Sequence, residues 1–183
     1  WISEIMLQQT QVKTATPYFK NFIKKYPTQK KLSEASEDQI LALWSGLGFY
    51  RRARNIFKTK EIIKEKYNNR FPKEFHQLLE LPGIGKSTAG AIMSLAYQNP
   101  HPILDGNVKR VITRLVNKNI DLLKESQLWE LSSQFVNKEN CFAYTQGIMD
   151  LGATVCTPTN PSCKDCPVQN QCMSAFNILN NKK

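Results

Sequence analysis

Four cysteines near the end of the chain constrain its fold more than any other feature. They are separated by six, two and five residues and fall within 17 residues: Cys156, Cys163, Cys166 and Cys172. Four thiolates this close together need a partner that satisfies all of them, and a soft metal centre is the natural one. Structural zinc sites usually have two short Cys-x-x-Cys pairs, whereas only Cys163 and Cys166 form one here. The irregular spacing therefore favours a [4Fe–4S] cluster, with zinc and disulfides left open as alternatives.

The composition is that of a globular protein kept in a reducing compartment. The chain has 183 residues, 41% of them apolar, enough for one domain or two small ones. No apolar stretch is long enough for a membrane span. The first residue is Trp1, so we expect a trimmed N-terminus. The chain has five cysteines, and four of them are spaced like metal ligands. We therefore expect the protein to occur in the cytoplasm with the bacterial nucleoid, or in another reducing interior. Cys141, outside the loop, is predicted to be a buried core thiol.

The positive charge of the chain is compatible with nucleic-acid binding. Lys and Arg number 25 against 15 Asp and Glu, a net charge of +10. Basic runs such as Lys24-Lys25 and Arg51-Arg52-Ala53-Arg54 lie between apolar segments rather than in a tail. Such a distribution is expected of a nucleic-acid binder, although an ordinary lysine-rich surface would look the same.

Apolar residues recur at helical spacing, and no segment alternates as a strand would. Helices are predicted over residues 36–47, 53–67, 73–81, 86–97, 107–116, 125–136 and 142–155. Ser36 and Gln39 have the spacing of a capping box at the start of the first of these. The helix-breaking stretch at residues 98–102 divides the predicted all-α fold into two lobes, 1–99 and 100–183.

Residues 81–90 carry a second motif. Gly83 and Gly85 flank one aliphatic residue, which permits a tight turn with outward-facing backbone N–H groups. The helix that follows adds free N–H groups and a positive dipole end, and Lys86 adds charge. The segment is therefore predicted to bind a DNA phosphate without reading sequence; a plain helix–turn–helix connector is the alternative.

Together with the cysteine loop, five segments of the chain resemble a known family. They are residues 1–11, 46–50, 81–85, 103–110 and 149–153. The chain is similar to the endonuclease III superfamily of DNA glycosylases, which share a helix–hairpin–helix motif, and within it to adenine DNA glycosylases of the MutY type. The resemblance covers essentially the whole chain. It implies two helical lobes with DNA and an extruded base in the cleft between them, and a [4Fe–4S] cluster as cofactor.

The resemblance also implies a catalytic apparatus. Cleavage of an N-glycosidic bond passes through an oxocarbenium-like state, which calls for an acid on the leaving group and a carboxylate near the cation. Glu4 would protonate adenine, mainly at N7, and then activate water; burial in its apolar run would raise its pKa. Asp105 would stabilise the sugar cation, with Asn107 as its supporting partner. From the residues alone, Glu4 could be a solvated acid in a first turn and Asp105 a helix cap.

Further residues correspond to family positions that contact DNA. Gln9 and Tyr50 would insert beside the opposing guanine lesion, and Gln146 would contact the adenine. The full set of implied DNA contacts is Leu7, Gln8, Gln9, Thr10, Tyr50, Gly83, Gly85, Lys86, Ser87 and Gln146. The cysteine loop would be ordered by its cluster and would present Lys164 to phosphate.

Ser87 distinguishes between two reactions. The bifunctional branch of the superfamily has a lysine nucleophile directly after the hairpin, where this chain has Ser87. Lys86 is one residue earlier, about 100° around the helix. We therefore expect a monofunctional enzyme that uses water. A bifunctional glycosylase/lyase for oxidised pyrimidines and a non-catalytic DNA-binding module are the alternatives.

The expected partner is double-stranded DNA with an adenine mispair, bound by a monomer with no membrane association. The family also has a segment ahead of Trp1 and a C-terminal domain that reads 8-oxoguanine. We therefore expect a catalytic domain with a weakened preference for 8-oxoguanine over guanine opposite adenine.

Overall fold

The computed structural model describes residues 1–175. The last eight residues of the predicted second lobe, 176–183, lie outside this part. Ten α-helices are found within it: α1 Ile2–Leu7, α2 Val12–Lys25, α3 Gln29–Ser33, α4 Glu37–Trp44, α5 Arg51–Tyr67, α6 Phe75–Leu79, α7 Lys86–Tyr97, α8 Gly106–Leu115, α9 Glu125–Phe135 and α10 Cys141–Asp150. Shorter turns follow, a 3₁₀ turn at Ile120–Leu122, a π turn at Leu151–Val155, and 3₁₀ turns at Cys163–Asp165 and Gln169–Gln171. Residues 1–175 contain no strand, which confirms the all-α prediction.

Local chemistry sets several helix ends. The predicted capping box of α4 is present, because Ser36 Oγ accepts from the Gln39 N–H and the Gln39 side chain accepts from the Ser36 N–H. The α5 helix ends at Asn68, which adopts the left-handed conformation that commonly closes a helix. The predicted bounds of α7 match the structure.

Two groups of helices differ from the prediction. The helices α1, α2 and α3 were not predicted, and α2 contains Pro17 in its second turn, where proline has no N–H to donate to the carbonyl one turn earlier. The predicted helix 142–155 is α-helical only to Asp150 and then widens into the π turn.

The chain divides into two compact units, Trp1–Ile92 and Met93 onward. The division falls inside α7, whereas the sequence placed it at the helix-breaking segment that follows. In the N-terminal unit, α5 packs on α1, α3 and α4. Its core contains fully buried Phe22, Ile40, Trp44 and Ile56. These contacts fix α1, α5 and the hairpin against one another.

In the C-terminal unit, α8 is the central helix and packs on α9, α10 and the π turn. Val108 and Ile112 are completely buried on its inner face. Cys141 is buried, and its Sγ lies 3.7 Å from the carbonyl oxygen of Ser94, which confirms the predicted core thiol. No helix in residues 1–175 has both the length and the apolar character that a membrane crossing requires.

Candidate functional site

The hairpin between α6 and α7 is held from inside by side chains that donate to its carbonyls. Thr59 Oγ1 donates to the Pro82 carbonyl at 3.1 Å, and Gln8 Nε2 donates to the Gly83 carbonyl at 2.9 Å. Gly83 has a φ of +83° and Ile84 is buried, while Gly85 and Lys86 are exposed. Both of these carbonyls accept hydrogen bonds from side chains of the protein itself. At the exposed glycines no side chain covers the backbone, so an anion can approach it.

Gly83 also lies against the side chain of Asn55. A Cβ atom at Gly83 would be 2.7 Å from Asn55 Nδ2 and 3.0 Å from Asn55 Cβ. A Cβ at Gly85 would meet nothing within 4 Å. The first glycine of the turn is therefore required both by its conformation and by its neighbour, whereas the second borders open space.

Gln8, predicted as a DNA contact, is a structural bridge in the N-terminal unit. Besides its bond to Gly83, its Nε2 donates to Thr88 Oγ1 at 3.2 Å. Gln8 thus links the end of α1 to both sides of the hairpin. Leu7, Gln9 and Tyr50 are exposed and Thr10 is half-buried.

Arg52 departs from the interpretation of residues 51–54 as surface charge. It is only 6% exposed, and its guanidinium donates to the carbonyls of Met6 and Gln8 at the end of α1. Burial lowers the pKa of the Arg52 guanidinium, but an arginine stays charged. Lys60 is buried as well and donates to the Ser33 carbonyl. Two of the positive charges, Arg52 and Lys60, therefore bind carbonyl groups inside the unit. Arg51 and Arg54 remain exposed.

Phe49 was not selected as a site residue from the sequence, yet its side chain is more exposed than that of its selected neighbour Tyr50. It is 59% exposed, against 42% for Tyr50, and has a φ of +49°. The sequence signal was an aromatic residue directly after the Gly46-Leu47-Gly48 turn.

Two other predicted residues lie near helix starts in this unit. Glu4 lies in the first turn of α1 and is half-buried, so it is partly removed from solvent as its apolar surroundings in sequence suggested. Ser87 is the second residue of α7 and is half-buried, while Lys86, the first, is exposed. The two neighbours differ in accessibility, as expected of consecutive positions on a helix.

In the C-terminal unit, Asp105 is the N-cap of α8. Its carboxylate accepts a hydrogen bond from the Val108 N–H at 2.8 Å, and the side chain is otherwise exposed. The helix begins at Gly106, one residue before the predicted start. The cap fixes the carboxylate at the positive end of the helix dipole. Capping and charge stabilisation of a ligand are compatible, because one carboxylate has several acceptor sites.

Asn107 is anchored by Arg110 one turn later. Arg110 Nη2 donates to Asn107 Oδ1 at 2.8 Å and to the Gly152 carbonyl at 2.6 Å, and its Nε donates to the Cys156 carbonyl at 2.7 Å. A Cβ at Gly152 would be 2.7 Å from Asn107 Cβ, so the π turn can approach α8 this closely only with glycine there. Arg110 thus joins the helix that begins at Asp105 to the start of the cysteine loop.

The cysteine loop is fastened to α8 at both ends. At its start, Arg114 donates to the Thr157 and Pro158 carbonyls at 2.8 and 2.9 Å, and its Nη1 lies 3.4 Å from Cys156 Sγ. At its end, the Met173 N–H donates to the Leu115 carbonyl at 3.0 Å. The loop itself contains only the two short 3₁₀ turns. Arg110 and Arg114, four residues apart on one helical face, were not selected as site residues from the sequence.

The four cysteine thiols share one region. None of the five cysteines, all of which lie in the described residues, forms a disulfide, and the four of the loop are half-buried. Burial raises the pKa of the Cys172 thiol, and negative charge on Cys156, Cys166 and Cys163 raises it further. Four soft donors whose charges oppose one another suit a cationic partner. As they stand, however, no three His, Cys, Asp or Glu side chains of residues 1–175 are arranged to hold a metal ion. The ligand set therefore remains a prediction supported by donor chemistry.

Gln146 lies on the exposed side of α10. Its Nε2 donates to both carboxylate oxygens of Asp150 at 3.1 Å. Since a carboxylate accepts and does not donate, this pair directs the amide N–H₂ toward Asp150 and leaves Oε1 as the outward acceptor.

Comparisons with known proteins fit this architecture. A model of the HhH-GPD superfamily of base excision DNA repair proteins matches residues 2–134. The adenine DNA glycosylase of Buchnera aphidicola subsp. Schizaphis graminum is 51% identical over 177 residues, 95% of this chain. The adenine DNA glycosylase of Homo sapiens is 40% identical over 176 residues, 94% of this chain. The chain therefore belongs to the HhH-GPD superfamily of base excision DNA repair proteins.

A solved structure shows the same fold. A thermostable thymine-DNA glycosylase superposes with a TM-score of 0.85 at 27% sequence identity, covering 98% of this chain and 82% of that one. This agreement confirms the predicted helix–hairpin–helix glycosylase fold. The chain spans about half the length of the Buchnera relative, at 51%, and 32% of the human one.

Proposed function

We propose that this chain forms the catalytic region of a monofunctional adenine DNA glycosylase. It would hydrolyse the N-glycosidic bond of adenine mispaired with guanine or 8-oxoguanine in double-stranded DNA. The observation that carries the proposal is the match, over 95% of this chain, to a relative named adenine DNA glycosylase at 51% identity. The roles proposed below for the individual residues follow from the resemblance and agree with the contacts described above.

DNA binding begins at the hairpin. Exposed Gly83, Gly85 and Lys86 precede or begin α7, and the backbone N–H groups at a helix start bind phosphate irrespective of sequence. Exposed Leu7, Gln9 and Tyr50 then contact the duplex near the mispair, with Thr10 beside them. The adenine leaves the stack for the reaction, and Gln146 contacts it through the amide that Asp150 orients.

Two carboxylates carry the chemistry. Glu4 donates a proton to the departing adenine and afterwards accepts one from the attacking water. Asp105, fixed by its bond to the Val108 N–H, stabilises the positive charge that develops on the sugar. Asn107, held by Arg110, supports this end of α8.

Water is the nucleophile because the position after the hairpin lacks an amine. A lysine attack on the sugar would form a Schiff base and lead to strand cleavage. Ser87 cannot form one, and exposed Lys86 is better placed for phosphate. The product is therefore an abasic site in an intact strand.

The cysteine loop fits a [4Fe–4S] cluster by its donors, and we propose Cys156, Cys163, Cys166 and Cys172 as the ligands. The cluster would supply structural cross-linking of the loop, since glycosidic hydrolysis needs no electron transfer. Arg110 and Arg114 connect the start of that loop to the helix of Asp105. Exposed Lys164 is then available to phosphate. We further propose a monomer that acts in a reducing intracellular compartment.

The test is strand cleavage of a labelled duplex with one adenine opposite 8-oxoguanine, analysed with and without alkali. Cleavage only after alkali is expected, because hydrolysis leaves an alkali-labile abasic site. Cleavage without alkali, with a borohydride-trapped adduct at Lys86, would assign the protein to the lyase branch. Binding with no cleavage in either lane would contradict the proposal in favour of a DNA-binding module.

A further inference from the structure

We propose that Arg52 is a positioning residue that holds two exposed segments, residues 7–10 and 48–50, in the arrangement that inserts side chains at the mispair. The proposal rests on the proposed function, since it concerns how the same DNA site is built. Arg52 itself is buried and does not reach DNA.

One end of the guanidinium organises the first segment. Arg52 Nη1 donates to the carbonyls of Met6 at 2.6 Å and Ile5 at 3.3 Å, and also to that of Gln8. The last carbonyls of a helix have no partner within it, so these bonds close α1. The chain then turns at Gln9, which has a φ of +56°.

The other end of the guanidinium organises the second segment. Arg52 Nη2 donates to the Gly48 carbonyl at 3.3 Å, directly before Phe49, whose φ is +49°. Non-glycine residues in the left-handed region cost of order 1 kcal/mol and persist only where their surroundings enforce them. Both such residues here adjoin a carbonyl that Arg52 binds.

Two aromatic rings lie beside the guanidinium. Its carbon lies 5.3 Å from the ring centroids of both Trp44 and Phe49. Lysine, with one point charge, does not reproduce a planar cation that donates from both of its terminal nitrogens and lies within cation–π distance of two rings.

Most of the exposed side chains in these two segments are apolar or aromatic, which suits them to insert as wedges between bases. Leu7, Phe49 and Tyr50 are 36%, 59% and 42% exposed, and Gln9 is exposed between them in sequence. Apolar and aromatic side chains that enter a base stack unstack it and open the duplex. Because both wedge segments share Arg52, their spacing depends on one residue.

The test compares two duplexes and two readouts in the iron-loaded protein. In one duplex adenine faces guanine; in the other it faces an abasic analogue, where there is no base to insert beside. Single-turnover excision is measured on both. Fluorescence of 2-aminopurine placed beside the mispair reports unstacking on binding and needs no cleavage. The variants are Arg52→Lys and, as a matched control, Arg70→Lys, since Arg70 is an exposed arginine of the same unit.

We expect Arg52→Lys to slow excision opposite guanine by about tenfold or more and opposite the abasic analogue by less than about threefold, since hydrogen bonds of a buried charge are lost at the wedge alone. The 2-aminopurine signal should fall as well, and Arg70→Lys should change neither readout. Equal losses on both duplexes, or an unchanged signal, would overturn the proposal.

Phe49→Leu is the second variant: it removes a wedge side chain and the ring beside the guanidinium while every hydrogen bond of Arg52 is kept, so it measures the loss of one wedge alone. It should give the same duplex-dependent pattern at smaller size, and a loss that does not depend on the duplex would count against the proposal. If the unmodified protein excises adenine from neither duplex, the proposed function fails. The 2-aminopurine signal alone then decides the role of Arg52, and a signal that is absent from the unmodified protein or retained by Arg52→Lys overturns it.

Discussion

The hairpin and the cysteine loop are both held by side chains that donate to backbone carbonyls, but the hairpin lies on a packed core and the loop buries no residue of its own. Thr59 and Gln8 hold the hairpin from a packed helical unit. Arg110 and Arg114 hold the start of the loop, whose own structure amounts to two 3₁₀ turns. The backbone of the hairpin is therefore ordered by packing, whereas that of the loop is ordered by anchors at its ends and by short-range turn hydrogen bonds such as that from the Cys166 N–H to the Cys163 carbonyl.

The difference follows from sequence. The hairpin lies between helices whose apolar residues bury Leu81 and Ile84. The loop has no buried residue between Cys156 and Cys172 in the structure. A segment that buries so little has few contacts to offset its ordering entropy, so we expect it to depend on a cross-link. Comparing the two regions therefore predicts which treatments affect one and spare the other.

The largest effect should come from Cys166→Ser. We expect loss of bound iron and sulfide and rapid proteolysis within residues 156–172, because ligand-driven folding in small metal sites is worth about 10 kcal/mol or more. The hairpin should stay protected in the same digest. Mass spectrometry of the fragments, with iron analysis, measures both regions.

Cys141→Ala is the matched control, since Cys141 is a buried thiol outside the loop. It should keep its iron and lose only about 1 kcal/mol of stability from the small cavity. A loop that resists proteolysis in iron-free Cys166→Ser would show that the arginine anchors suffice.

A second prediction separates the capping role of Asp105 from its proposed catalytic role. Asp105→Asn keeps an N-capping oxygen for the Val108 N–H, so the free energy of unfolding should change by less than about 0.5 kcal/mol. Excision should nevertheless fall by about 10² or more, because the negative charge is lost. Single-turnover kinetics and chemical denaturation measure the two effects.

Asp105→Ala removes both properties and should additionally cost about 1 kcal/mol of stability. If Asp105→Asn excised adenine at an undiminished rate, capping would be the whole role of this residue.

These regions also show what sequence alone could predict. The hairpin, the α4 capping box and the bounds of α7 depend on local residue order, and the structure confirms them. Cys141 was correctly predicted to be buried. The early helices escaped prediction because α1 is less than two turns long and α2 contains Pro17, a residue that argues against a helix; in the structure they pack on α5 and α4.

For the carboxylates and thiols the residue type alone suggested a chemical role, and those roles stay predictions. The site was not predictable where the same residue type has opposite environments. Arg51 and Arg52 are neighbours in one basic run, yet one is exposed and the other is buried under Phe49 and Trp44. That difference arises from carbonyls of Met6 and Gln8, more than 40 residues away in sequence.

The smallest predicted effect tests whether packing alone defines the hairpin. Gly83→Ala should cost about 1–3 kcal/mol, because Gly83 has a φ of +83° and the new Cβ would press on Asn55. DNA affinity should fall at the same time, whatever the base pair, since the proposed contact of the hairpin is with the DNA backbone only. Gly85→Ala is the control: it enters open space and should alter stability by less than about 0.5 kcal/mol. Denaturation and binding titrations on matched and mispaired duplexes measure both quantities. Equal destabilisation by the two variants would mean that α7, rather than the contact of Gly83 with Asn55, sets the turn.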